Sequence, residues 1–300
     1  MIKRIRLGTA RSGLGRDEFA GCWREAVGAA ALAPAAARPV RVTVSVAVRE
    51  IADGQRYDGV GLEWFSDREH LLRFESWLGA GDGEMVGRLL SAAVEVDDSP
   101  VVVTSERVAR GADWLERRWR EGGTRLKQLA IANRADGLTL AQFLERWHGR
   151  AGAVGAAPIP DAFRGRAYVQ NHPLVEAGLD WAYDAINEVY FDDADSLRAR
   201  MAYFERELAE GGENDLVGAN WFLAMREEPI ELPVLGGAAD RERIKIKFVM
   251  GNGRVFHLFT YAPVTVGDAR VSPPAPRFLT WPAGRYVSVG GPVGTRDRSG

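Results

Sequence analysis

The chain repeats itself, and the repeat limits what it can fold into. The segment "IKRIRLGTARSGLGRDEFAGCWREAV", starting at Ile2, aligns without a gap to "LKQLAIANRADGLTLAQFLERWHGRA", starting at Leu126. At an offset of 124, Lys3 meets Lys127, Gly13 meets Gly137, Phe19 meets Phe143 and Trp23 meets Trp147. Further on, "QRYDGVGLEWFSDREHLLRF" and "WAYDAINEVYFDDADSLRARM" match at an offset of 126, with Tyr57, Asp58, Phe65, Asp67 and Leu71 over Tyr183, Asp184, Phe191, Asp193 and Leu197. Long blocks in the same order at nearly constant spacing mean one domain used twice, not a short solenoid unit. A length of 300 residues agrees with two domains.

Each copy reads the same way. A short apolar strand opens it (2–10 and 126–133), followed by a Gly-Leu turn. A helix comes next, with Phe19/Trp23 or Phe143/Trp147 four apart and therefore on one face. Thr139 with Gln142 three residues on predicts a capping box. "PVRVTVSVAV" alternates, which places Val40, Val42, Val44, Val46 and Val48 on one face of a second strand; "RGRAYVQNH" is its partner in the other copy. The Tyr-Asp blocks supply a third strand, and a second helix starts near Asp67 or Ala194. "SPVVVTSERV" and "GANWFLAMREE" close the units. The order β-α-β-β-α-β is the ferredoxin-like pattern and predicts an α+β fold with helices on one face of each sheet. Two such sheets can cover their bare faces by packing on each other, as a barrel or a sandwich. The divisions read as 1–109, a charged and partly helical linker at 110–125, a second unit at 126–232, and an extension at 233–300. In the extension "RIKIKFVM" and "RVFHLFTYAPV" flank "GNG" as a β-hairpin, and the Pro- and Gly-rich end is expected to fray.

A net charge of −2 gives no reason to expect a nucleic-acid or anionic-membrane partner. The basic start has no apolar core after it, unlike a signal peptide, and no segment approaches ~20 apolar residues, so a cytoplasmic location is expected. One cysteine, Cys22, permits no internal disulfide and reads as a small apolar helix residue. Four scattered histidines offer no metal-binding spacing, and there is no dinucleotide loop, P-loop or Gly-x-Ser-x-Gly elbow; no metal or cofactor is expected.

"GLTLAQFLERW", "RAYVQNHPL" and "YDAINEVYFDDADSL" together resemble the EthD domain of the dimeric α/β barrel superfamily. The resemblance covers about 126–228 well and about 2–108 more weakly. It implies two ferredoxin-like units closed into an intramolecular pseudo-dimeric barrel, with small-molecule pockets between sheet and helices. It also implies a cofactor-independent enzyme on a hydrophobic molecule, polyketide-derived compounds included: a lyase, dehydratase or cyclase, with a cofactor-free monooxygenase as an alternative; the missing helix histidine in both copies leaves a non-catalytic binding or scaffold protein as another. A homodimer is compatible with it. The chain departs from the family in one respect: the helix histidine expected four residues after the tryptophan is Val27 in one copy and Ala151 in the other.

Alternation puts Asp184, Ile186, Glu188 and Tyr190 on one face of their strand, and Tyr168, Gln170 and His172 on one face of the neighbouring strand. If both faces look into one cavity, His172, Asp184 and Glu188 are acid/base candidates, with Tyr168, Asn171, Tyr183, Trp147 and His148 as substrate contacts. Desolvation raises a carboxylate's pKa toward neutrality, and histidine titrates there with little help. The plainer readings are structural: Asp184 holding a backbone amide, Glu188 paired with an arginine such as Arg166, Tyr168 in the core. In the first copy Glu63 stands one residue off the position of Glu188, which sends its carboxylate to the opposite face. His70 is expected at the surface, and His257 within the hairpin.

Overall fold

The computed structural model describes residues 1–149, 153–154, 157–175, 181–209, 215–233, 244–249 and 255–260. The strands that matter here are β1 (Ile2–Gly8), β2 (Arg41–Ala47), β3 (Gly59–Phe65), β4 (Val101–Arg110), β5 (Arg125–Arg134), β6 (Ala167–Pro173), β7 (Ala185–Phe191) and β8 (Val217–Pro229). All eight pair antiparallel into one closed barrel in the order β1-β3-β2-β8-β5-β7-β6-β4. Each half of the chain contributes its four strands in the spatial order fourth-first-third-second. Two seams join the halves: β2 on β8, where Thr43 faces Pro229, and β4 on β6, where Glu106 faces Asn171. Closure leaves this eight-stranded sheet without an edge.

Helices pack outside the barrel. The first half carries α1 (Arg16–Gly28), α2 (Arg68–Leu78) and α3 (Glu84–Ala93). The linker is α4 (Ala112–Glu121), and the second half carries α5 (Leu140–Gly149) and α6 (Ala194–Ala209). Their starts follow from local chemistry. The Asp67 carboxylate accepts from the His70 amide at 2.8 Å, and Asp193 accepts from the Ser196 amide at 2.7 Å. Thr139 and Gln142 form the reciprocal box, with Gln142 N donating to Thr139 Oγ1 (3.2 Å) and Thr139 N to Gln142 Oε1 (2.9 Å). No helix among the described residues is long and apolar enough to cross a membrane.

Both faces of most strands are buried, one inside the barrel and one under helices. Inside, Ile5, Leu7, Val60, Leu62, Val102, Leu129, Ile131, Ile186, Leu223 and Met225 make an apolar plug. Outside the first half, Phe19, Trp23, Val27, Val42, Val44, Phe65, Phe74 and Val103 form the sheet–helix core. The valine strand begins at Arg41, so Val40 falls outside it and is 53 % exposed. His70 is buried rather than superficial: its Nε2 lies 2.7 Å from the Arg38 carbonyl, and its ring meets Phe65 edge-on. The linker helix is more than a solvated spacer. Its Leu115 is buried, and its Trp119 meets Trp64 edge-on at 5.5 Å and lies against Arg41 and Arg125, closing one end of the barrel.

The expected hairpin is present as strands Ile244–Val249 and Val255–Thr260, paired antiparallel with Lys247 opposite His257. Its turn, its side chains and the chain end expected to fray lie outside the described residues.

Candidate functional site

The predicted site residues fall into three places. Tyr183 and Asp184 sit at the end of the barrel opposite Trp119. The Tyr183 and Tyr57 hydroxyls hydrogen-bond each other where the two copies meet, and Arg56 Nε donates to Tyr183 at 3.0 Å. Asp184 accepts from the Arg134 backbone amide (2.8 Å) and pairs with the same residue's guanidinium. Asp58 does the same work in the first copy, accepting from Ala10 N at 2.8 Å and pairing with Arg49. The repeated Tyr-Asp is thus a strand-entry fastening, and Asp184 has no free oxygen lobe aimed at a cavity.

Asn171 and Glu188 lie inside the barrel. Glu188 is fully buried and collects four donors: Lys3 Nζ (2.6 Å), Lys127 Nζ (2.7 Å), Asn171 Nδ2 (3.0 Å) and Tyr190 Oη (2.8 Å). The lysines also pair outward, Lys3 with Glu106 and Lys127 with Glu227; Arg125 Nε adds a bond to Glu227 at 2.9 Å. Lys3 and Lys127 are repeat counterparts, and strand register makes Glu106 and Glu227 counterparts as well. Glu188 is the asymmetric centre, because its counterpart across the repeat is Leu62. Burial pushes the Glu188 pKa up, but the charges of Lys127 and Lys3 outweigh it and hold the carboxyl well below its ordinary range. A carboxylate so fixed is ionised at neutral pH and has no proton to give. The expected arginine partner is also corrected: Arg166 pairs with Asp192 at 2.6 Å. Glu63, as its register predicts, faces outward and pairs with Arg4 at 2.6 Å.

Tyr168, Gln170 and His172 lie on the outer face of β6, away from Glu188. The shared cavity expected from alternation therefore does not form. Every strand here is buried on both sides, so parity tells which residues share a face but not which face is inside. The outer cluster nonetheless brings together several buried polar atoms without partners among the described residues. His172 is 6 % exposed, and among the described residues neither of its ring nitrogens has a hydrogen-bond partner. The His148 ring stacks on it at 4.1 Å, nearly parallel, with His148 Nδ1 donating to the Leu144 carbonyl at 2.7 Å. Trp147 Nε1 and Asn187 Oδ1 are also buried without partners. Gln170 Nε2 donates to Tyr168 Oη at 3.4 Å, and Arg107 reaches Gln170 Oε1 at 3.3 Å. Buried polar atoms in folded proteins are normally paired, and these are free to bond a water or a ligand.

The repeat explains why the Trp147 indole lacks a partner here. In the first half Trp23 lies flat on Gly8, Gly59 and Gly61, and its Nε1 donates to the Ser45 carbonyl at 3.2 Å. The counterparts of those glycines are Ala132, Ala185 and Asn187. A β-carbon on Gly59 would stand 2.4 Å from Trp23 Nε1. Trp147 cannot seat itself in that way, and its indole N–H is left unpaired. Trp147 and His148, expected as substrate contacts, do lie with His172, whereas Asn187 was not among the sequence candidates; the signal available for it was the loss of Gly at 185 and 187 relative to 59 and 61. Ala151, where the resemblance would place a histidine in this copy, lies outside the described residues.

Burial, then the charges of His148 and Arg107, pull the His172 pKa down to about 4 from 6.5. The imidazole is neutral at pH 7. A base whose folded pKa is depressed binds protons first in the unfolded chain, so stability is full above 6.5 and falls as pH drops toward about 4. We expect the urea midpoint of the protein to decline over that window, and the decline to be smaller in His172→Gln. Equal acid sensitivity in the two proteins would show that His172 titrates normally.

Comparison with known proteins gives few handles. No protein-family model matches the chain, and no curated protein matches it. Among solved structures, a "putative monooxygenase from Lactobacillus acidophilus NCFM" is similar at 10 % identity and a TM-score of 0.40, over 78 % of this chain and 99 % of that one. A "putative monooxygenase" from Fusobacterium nucleatum subsp. nucleatum is similar at 9 % identity and a TM-score of 0.41, over 79 % and 95 %. Likeness this distant assigns neither activity nor substrate.

Proposed function

We propose that the outer face of the second half binds a hydrophobic carbonyl compound and that His172 takes a proton from it. The reading rests on one observation: a buried, neutral imidazole with both nitrogens unpartnered, on a face that also carries the unpartnered Trp147 N–H. The proton leaves a carbon alpha to the carbonyl for a His172 nitrogen, and the electron pair becomes an enolate. An isolated imidazolium is disfavoured there, but imidazolium and enolate form together, so the pocket gains no net charge. Trp147 Nε1 is the donor in reach of that face for the enolate oxygen. Return of the proton, or loss of a β-hydroxyl as water, completes an isomerase- or lyase-type cycle that needs no cofactor. Tyr168 and Gln170 line the same face as orienting groups, with His148 stacked behind the base. Glu188 and Asp184 take no part.

In this reading the chain is a tandem EthD-type protein of the dimeric α/β barrel superfamily, with ferredoxin-like units at 1–109 and 126–232 and a hydrophobic, polyketide-like substrate. The strand order repeated in each half supports it.

The test uses benzoylacetone in D₂O, with proton exchange at its central carbon followed by NMR. The wild-type protein should accelerate exchange, and His172→Ala should lose at least about tenfold of that acceleration, within the range of general-base catalysis. Equal rates in the two would sink the assignment. A binding protein without chemistry is the second reading, favoured by the two carboxylates that are tied up in structure. Saturable binding of benzoylacetone with no exchange would select it, and oxygen uptake would select a monooxygenase.

A further inference from the structure

Three arginines gather around one hydroxyl at the seam where β4 meets β6 beneath α6. Across the seam Arg110 faces Tyr168 and Arg107 faces Gln170. Arg107 Nη1 donates to Gln170 Oε1 at 3.3 Å, and Gln170 Nε2 donates to Tyr168 Oη at 3.4 Å. The Tyr168 O–H itself donates to nothing among the described residues. Arg200, on α6, is 5 % exposed. Its Nε donates to Gln128 Oε1 and its Nη1 to the Phe163 carbonyl, and its guanidinium lies over the Phe204 ring. Both acceptors are neutral, so among the described residues no carboxylate pairs with this buried charge. Burial lowers the Arg200 pKa to about 10. Arg110 donates to the Gly165 and Arg164 carbonyls, and the acid in its field, Asp161, is already paired with Arg164 at 2.8 Å. Burial raises the Tyr168 pKa, while Gln170 and the charges of Arg200, Arg107 and Arg110 pull it back. All three guanidiniums therefore act on the same phenol.

The first half puts other chemistry at the same address. The repeat counterpart of Arg200 is Phe74, a core residue, and strand register makes Val42 and Val44 the counterparts of Tyr168 and Gln170. The counterpart of Arg107 is Glu228, which lies opposite Val44. One copy thus has an apolar face with an acid at its rim, and the other a phenol and an amide ringed by cations. The fold does not require this charge, since the first copy does without it. A buried guanidinium with no counter-charge is costly unless an anion joins it. Arg107 and Arg110 are exposed, so the patch opens on solvent and needs no enclosed cavity.

We propose that this patch binds the terminal phosphate of a small phosphomonoester, with Arg107, Arg110 and the Tyr168 O–H on its oxygens and the Arg200 charge behind them. A dianion answers several cations at once, and its tetrahedral oxygens accept from donors arriving on different sides; a carboxylate is filled by a single guanidinium. A chain of net charge −2 is not drawn as a whole to an anionic membrane, which favours a small molecule as the source of the phosphate. The patch shares Tyr168 and Gln170 with the face proposed for His172, but it does not use the imidazole.

The experiment is calorimetric and thermal-shift titration of the full chain with methyl phosphate, against sodium chloride and dimethyl phosphate at matched ionic strength. Methyl phosphate should bind saturably and raise the Tm by mass action on the folded state. Chloride should not bind, and dimethyl phosphate, a monoanion, should bind more weakly. The double variant Arg107→Met/Arg110→Met, at exposed positions that folding does not depend on, should weaken binding at least about tenfold, the least expected when charge-assisted hydrogen bonds are lost. Arg200→Met should weaken it too and leave the free protein no less stable, since Phe74 serves at that place in the other copy. His172→Ala should bind methyl phosphate as the wild type does, whether or not His172 proves to be a base. Absence of saturable binding, chloride binding as tightly as methyl phosphate, or binding that survives the double variant would each overturn the proposal. Co-sedimentation with phosphatidylcholine vesicles carrying phosphatidic acid, lost in the double variant, would overturn the small-molecule source and assign the patch to a lipid headgroup.

Discussion

Replacing Glu188 with Ala should destabilise the protein by about 3–5 kcal/mol, the range for stranding buried charge by removing one partner. The urea midpoint should fall with little change in slope. The loss is not that of one salt bridge. Lys3 and Lys127 are 1 % and 0 % exposed, and Glu188 is the group that faces both. Without it, Lys3, Lys127 and Arg125 inside the barrel are opposed only by Glu106 and Glu227. Asn171 Nδ2 and Tyr190 Oη lose their acceptor too. Two features make the prediction discriminating. The counterpart of Glu188 is Leu62, so the barrel tolerates an apolar side chain of that size at the mirrored position. The double variant Lys3→Met/Glu188→Leu removes one charge of each sign, and should recover a good part of the loss as a coupled pair does. The pH dependence has a definite sign. A carboxyl held below its ordinary 4.5 contributes fully above that value, and its contribution drains away only as pH falls toward the depressed folded value. A Glu188→Ala protein within 1 kcal/mol of the wild type would mean that the buried network is not what holds the barrel interior together.

The duplication made the barrel legible before any coordinate. Lys3 over Lys127 and Tyr57 over Tyr183 fixed two copies of one strand order, and a strand order with two bare sheets has few ways to close. Register was legible too: Glu63 sits one residue away from the Glu188 position and does face the opposite side. The inside and outside of β6 were not legible. "AYVQNH" is buried at nearly every position, because the barrel covers one face and α5 and α6 the other. Only pairing tells that Asn171 looks in at Glu188 while His172 looks out at His148. The ionic core hid for a related reason. Lys3 and Lys127 look like ordinary edge charges until β4 and β8 bring Glu106 and Glu227 beside them, 103 and 100 residues away in sequence. His70 was misread because helix spacing alone does not reveal that the Arg38 carbonyl waits above it.

Substituting Gly59 with Ala should cost about 3 kcal/mol, far more than the same change at an ordinary strand glycine. One methyl group is enough because of where Trp23 lies. An added β-carbon meets Trp23 Nε1 at 2.4 Å and Cδ1 at 2.8 Å, and real contacts do not come that close. The ring cannot slide aside freely, since Gly8 and Gly61 hold its other edge and Phe19 stacks on it at 6.0 Å. Overpacking a dense core costs about 1–3 kcal/mol, and lifting the ring would also strand the indole N–H that now reaches the Ser45 carbonyl, a further ~1 kcal/mol or more. The reverse change in the other copy, Ala185→Gly, removes a methyl from a site where no indole N–H bond depends on it. It should cost no more than about 1 kcal/mol, the usual backbone penalty of glycine in a strand. The contrast is measured by paired urea titrations of the two variants. It bears on function as well as stability, because the three glycines of the first half close the sheet against its tryptophan. In the second, Ala132, Ala185 and Asn187 stand in their places, and the Trp147 indole N–H is left unpaired beside His172. If Gly59→Ala and Ala185→Gly shifted stability equally, the two tryptophans would be seated alike, and the argument that divergence left the Trp147 N–H unpaired would fail with them.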